Sequence, residues 1–96
     1  MNVIKITSTV EAKTIEQGLT ALQQEVCGSI ETIQLRDGGV MIVNEQGARN
    51  GMPQNPIASL VAGTLVYGPV LIVGKDTAGY TDAPEQYTEL LMIEPA

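Results

Sequence analysis

Glu31-Thr32-Ile33-Gln34-Leu35-Arg36-Asp37-Gly38-Gly39-Val40-Met41-Ile42-Val43-Asn44 is the stretch whose reading decides the fold. From Glu31 to Leu35 polar and apolar residues alternate, with Glu31, Ile33 and Leu35 on one face, as in a strand covered on one side. Asp37-Gly38-Gly39 supplies residues able to take positive φ, the signature of a tight turn. Val40 to Val43 is then continuously apolar, as expected of a strand covered on both faces. The pattern predicts a hairpin, Thr32–Leu35 paired with Val40–Asn44.

On the N-terminal side, Val3-Ile4-Lys5-Ile6 is β-branched and reads as a first strand. Thr14 is placed to cap a helix, with Gln17 completing a capping box. Ile15, Leu19, Leu22 and Val26 follow at spacings of four, three and four and form one apolar stripe. Gly18 costs about 1 kcal/mol inside such a helix, and Gly28 suits its left-handed end. Cys27 reads as a small buried hydrophobe.

On the C-terminal side, Asn44 to Asn55 is a loop rich in turn residues. Asn55-Pro56 reads as an N-cap followed by proline at the first helical position. Ile57, Leu60 and Val61 give a short helical stripe, and Gly63 ends it. Pro69 to Val73 is a second buried-type strand, bounded by Gly68 and Gly74, and Lys75 to Thr81 reads as a polar loop. Asp82 is placed to cap a last helix with Glu85 at its third position. Tyr87, Leu90 and Leu91 supply that helix's apolar side before Pro95. The expected fold is α+β: a four-stranded, mostly antiparallel sheet with two or three short helices packed on one face, in the order β-α-β-β-α-β-α. The split βαβ arrangement is one topology with this order.

Composition narrows the function. Ninety-six residues make one small domain, spanning 1–96, and 44% of them are hydrophobic. Five basic against eleven acidic residues give a net charge of −6, which argues against binding nucleic-acid phosphates. Histidine is absent and Cys27 is the only cysteine, so imidazole bases, thiolate zinc cages and intramolecular disulfides are excluded. No cofactor and no metal are expected. Neither a secretory leader nor an apolar run of the ~20 residues a membrane span requires is visible, and a cytoplasmic protein without membrane contact is expected.

The residues able to bind something cluster in the hairpin-to-helix crossing: Asn44, Glu45, Arg49, Gly51 and Asn55. Asn44 and Glu45 either hold a ligand or pin the following loop by its backbone N–H groups. Gly51, like Gly47, serves backbone conformation or close approach to a ligand. Asn55 is an N-cap, and the helix start it makes is also where an anion could sit. Arg49 is the residue best suited to grip a phosphate. Gly74-Lys75-Asp76-Thr77 is not a phosphate loop, because Asp76 replaces the Ser or Thr and Pro69 the first glycine of that pattern.

Three segments carry a resemblance: Val43-Asn44-Glu45-Gln46-Gly47, Gly51-Met52-Pro53-Gln54-Asn55 and Gly68-Pro69-Val70-Leu71-Ile72-Val73-Gly74. Together with the tail from Thr81-Asp82 through Tyr87 and Leu90, they resemble a family of small proteins encoded by phages, plasmids and bacterial mobile elements, the domain of unknown function 3846. One departure is Pro56, where relatives often carry a basic residue. The resemblance implies an accessory or host-interaction role and brings no activity with it.

The expectation is a non-catalytic protein that binds a host protein or a small ligand, counter-defence being its more specific form, and that forms a homodimer. The alternatives are a carboxylate- or metal-dependent hydrolase centred on Glu45 with Asp76 or Asp82, and an acidic DNA mimic with Asp82, Glu85 and Glu89 on one helix face.

Overall fold

A computed structural model describes residues 1–93, so the reading of Pro95 as the closing residue lies outside the described part. Six strands and three helices follow in the order β1 (Asn2–Ile6), β2 (Val10–Thr14), α1 (Leu19–Val26), β3 (Ile30–Gln34), β4 (Gly39–Asn44), α2 (Pro56–Ala62), β5 (Val70–Asp76), β6 (Gly79–Thr81) and α3 (Glu85–Leu90). All pairings are antiparallel, in the spatial order β2-β1-β5-β4-β3, with β6 also paired to β5. The α+β class, the antiparallel sheet and the hairpin of β3 with β4 are as expected. The sheet has six strands rather than four. Among the described residues no helix is long and apolar enough to cross a membrane.

The helices cover both faces of the sheet, not one. Side chains alternate along each strand, and the registers sort them. Ile4, Ile6, Met41, Val43, Val70 and Ile72 share a core with Ala58 of α2 and Tyr87 of α3. Val3, Val40, Ile42, Leu71 and Val73 face the other way and pack on Leu22 and Val26 of α1. Runs such as Val40–Val43 and Val70–Val73 are therefore apolar at every position because each strand is buried on both sides.

Two strands were not expected. Val10-Glu11-Ala12-Lys13-Thr14 alternates, but the helical spacing that begins at Ile15 makes Thr14 look like a cap. Thr14 instead stands opposite Asn2, its hydroxyl donating to the Asn2 side chain at 2.8 Å. Ile15 exchanges backbone bonds with Met1, extending that ladder by one pair. Helix α1 starts only after Gly18, whose φ of 115° no capping side chain accompanies. The polar loop expected over Lys75–Thr81 is a tight hairpin. The Asp76 carboxylate accepts from the N–H groups of Ala78 and Gly79 and turns the chain into β6.

Three further expectations are corrected. Cys27 is exposed and takes the left-handed conformation that ends α1, φ 65°, the place expected for Gly28. Asp82 accepts from the N–H of Asn2, and α3 begins after Pro84 with no side-chain cap. Leu90, expected on the apolar side of the last helix, is exposed.

A facing pair of glycines fixes the position of α3. Gly39 and Gly74 are register partners on the α2 face. A Cβ on Gly39 would lie 2.6 Å from the Tyr87 ring, and one on Gly74 would lie 2.6 Å from the Asp82 carbonyl oxygen. Tyr87 rests over Gly39, while Gly74 leaves room for Thr81 and Asp82, and the Tyr87 hydroxyl donates to the Arg36 carbonyl.

On the α1 face, Glu25 bridges β1 and β2: Lys5 donates to it at 3.0 Å and Lys13 at 2.8 Å. Burial alone would raise the Glu25 carboxyl, but the hydrogen bonds from Lys13 and Lys5 outweigh it and hold the group below its ordinary value of 4.5. The unfolded chain therefore takes up this proton first as pH falls, and the stability the carboxylate contributes above about pH 4.5 is lost below it. Urea unfolding of the wild type should weaken more steeply than that of Glu25→Gln as pH drops from about 4.5; parallel curves would show that the carboxylate is not held ionised.

Candidate functional site

The five candidate residues divide into two structural anchors and three surface positions. Asn44 ends β4 and is buried. Its Nδ2 donates to the Val26 carbonyl at the end of α1, 2.9 Å, and its Oδ1 accepts from the N–H of Gln46, 2.7 Å. Gly28 is the reason it fits, since a Cβ there would stand 2.9 Å from the Asn44 amide. Asn55 is also buried. Its Nδ2 donates to the carbonyls of Ile6 and Gly68, both at 2.9 Å, and its Oδ1 accepts from the N–H of Ala58 at 3.1 Å. Both amides are therefore occupied within the protein.

Glu45, Arg49 and Gly51 are exposed. The segment between the two asparagines is folded against the body rather than extended. Asn50 N–H bonds to the Gln46 carbonyl, Met52 N–H to that of Gly47, and Gly68 N–H to that of Pro53. Gly51 has a φ of 72°. At the start of α2, Pro56 has no N–H and Asn55 itself takes the N–H of Ala58, so two donors an anion would use are gone. Asn44 and Glu45 border a shallow depression with Ile33, Leu65 and Tyr67; Arg49, Gly51 and Asn55 do not. The crossing thus does not gather its five candidates into one pocket.

The carboxylates named for a hydrolase are also apart. Glu45 follows β4 at one end of the β4–β5 ladder, and Asp76 lies at the other. Among the described residues no three acidic or cysteine side chains stand close enough to hold a metal ion.

One concave feature lies away from the residues expected to bind something. A groove of about 940 Å³ runs between α2 and α3, lined by Leu35, Leu60, Val61, Tyr87, Leu90 and Leu91, with Arg36 and Asp37 at its rim. Burial, then the nearby Asp37 carboxylate, raise the Tyr87 phenol above its ordinary value of 10, against the lowering effect of Arg36, so it stays a neutral donor. The signal for this groove lay in two apolar stripes, each on a helix of six or seven residues. Such helices are too short to bury every leucine they carry. Leu60 is 85% exposed and Leu90 66%.

The molecule is an antiparallel sheet between helical layers, with an apolar groove in one of them. The profile of one protein family, the domain of unknown function DUF3846, matches residues 1–92, and the chain belongs to that family. Comparison with curated proteins and with solved structures gives no match.

Replacing Asn55 tests its structural role. Asn55→Ala removes a cap and leaves buried carbonyls without donors, and should cost about 3 kcal/mol in urea unfolding. Asn55→Asp keeps the bond to Ala58 but sets a carboxylate against the Ile6 and Gly68 carbonyls. Its stability relative to wild type should recover as pH falls and the acid becomes able to donate. Losses below about 0.5 kcal/mol for both variants would show that the amide is not an anchor.

Proposed function

We propose that this chain is a non-catalytic accessory protein of a phage or mobile element that acts in the host cytoplasm by binding a host protein. The observation that carries this reading is the groove between α2 and α3 with Leu60 and Leu90 exposed at its walls. Leaving such residues in water forgoes roughly 1.5–3 kcal/mol each relative to full burial, and an exposed apolar patch bounded by polar groups is the usual mark of a protein interaction site. A partner segment with apolar side chains at helical spacing would fill it, its polar ends meeting Arg36 and Asp37. The phage or mobile-element origin rests on the resemblance carried by Val43–Gly47, Gly51–Asn55 and Gly68–Gly74.

Two other readings have less support. A hydrolase centred on Glu45 would need a second carboxylate beside it, and Asp76 is spent on its own turn. An acidic DNA mimic would need dense carboxylate rows, whereas Glu25 is paired with lysines and Asp82 is bonded to Asn2.

The test compares wild type with Leu60→Asp/Leu90→Asp, both immobilised and exposed to the same bacterial lysate. Because both leucines are exposed, the variant should keep the wild-type circular dichroism spectrum. At least one protein held by the wild type should drop about tenfold on the variant, a loss of about 1.4 kcal/mol. Equal retention on both, or none on either, would overturn the reading.

A further inference from the structure

We propose that β3 is a self-pairing edge through which two copies of this chain join their sheets into one. Strands β2, β3 and β6 each pair on one side only, and β6 is just three residues long. In the β3–β4 ladder, Glu45 N–H bonds to the Ser29 carbonyl and Leu35 N–H to the Gly39 carbonyl. Pairs alternate along an antiparallel ladder, so Glu31 and Ile33 also point their backbone groups inward to β4. Ile30, Thr32 and Gln34 then point their N–H and C=O groups outward, and among the described residues none of these groups has a partner.

Edges of this kind are normally guarded by charge, proline or a bulge. Strand β2 carries Glu11 and Lys13; β3 carries Glu31 alone and keeps an unbroken register of five pairs with β4. Beside it, on the α2 face, Leu65 is exposed over the same depression that Glu31 and Ile33 line. An antiparallel copy would lay a second Ile33 and a second Leu65 there.

Charge selects the register. Each copy has a net charge of −6, so the two Glu31 carboxylates must be kept apart. Pairing centred on Thr32 would place them diagonally across the strands, about 7 Å apart. Pairing centred on Ile33 sets each Glu31 opposite the other copy's Leu35, four strand positions away, or roughly 13 Å. That separation exceeds the ~10 Å screening length at 0.1 M salt. The Ile33-centred register also makes Thr32 and Gln34 reciprocal partners, giving about four backbone hydrogen bonds around a two-fold axis. The partner is therefore a second copy of this chain, and the edge it covers adjoins the groove between α2 and α3, which Gln34 and Leu35 also line.

Sedimentation equilibrium of the full chain tests this. At about 200 μM the wild type should approach twice its 10.2 kDa mass and fall towards the monomer on dilution. Thr32→Pro removes an outward N–H that no strand of the same chain uses, a place where an edge tolerates proline. It should keep the wild-type circular dichroism and stay monomeric. Gln34→Pro serves the same purpose should the first variant unfold, and Ala12→Pro, its counterpart on β2, should leave the dimer intact. A wild type that remains monomeric at 200 μM, or folded Thr32→Pro and Gln34→Pro that still dimerise, would overturn the proposal.

Discussion

The Asn55 side chain is where three parts of the molecule are tied together. One buried amide joins the end of β1 through the Ile6 carbonyl, the approach to β5 through the Gly68 carbonyl and the first turn of α2 through Ala58. Asn44 does the same at the other end of the crossing, holding the last turn of α1 through Val26 and the start of the loop through Gln46. Each bond adds only about 1 kcal/mol net, but leaving one of these groups buried and unpaired costs about 1–3 kcal/mol. For a domain whose whole stability is of order 10 kcal/mol, that asymmetry fixes where the helices sit on the sheet. The crossing is thus anchored at both ends by a buried amide bonded to backbone groups of other elements.

The same economy of small parts shapes the two faces. Strands β4 and β5 are buried on both sides, so the sheet is a middle layer. Helix α1, with Leu22 and Val26, closes one side. On the other side α2 and α3 are shorter, and Tyr87 settles over Gly39, where a side chain would collide with its ring. Two helices of six and seven residues leave a channel between them rather than a sealed layer. The groove follows from the lengths of the helices and the seat of Tyr87. The groove lies on one face and reaches the β3 edge, where Gln34 and Leu35 belong to both.

Much of this was legible in local pattern. The alternation after Glu31, the Asp37-Gly38-Gly39 turn and the apolar run from Val40 gave the central hairpin, because pleat and burial act directly on residue order. Asn55-Pro56 marked the start of α2 for a similar reason, since cap and proline chemistry are local. Strand β2 was missed where two local signals overlapped: the helical spacing from Ile15 made Thr14 look like a cap, while its pairing with Asn2 depends on a hairpin that only the sheet stabilises. Cys27 and Asp82 were misplaced for a like reason, because a single residue carries no mark of which neighbour claims it.

Order along the chain, then, determined the β3–β4 hairpin, strands β1 and β5, the three helices, the double-sided burial of β4 and β5, and the dearth of catalytic groups, since each depends on residue type and spacing alone. Folding in three dimensions decided the rest: which strands became edges, on which face each helix lies, that Asn44 and Asn55 face inward, and that Leu60 and Leu90 stand beside one groove. These depend on contacts between residues far apart in the chain, as between Ile6 and Asn55, and no short window of sequence contains both partners of such a contact.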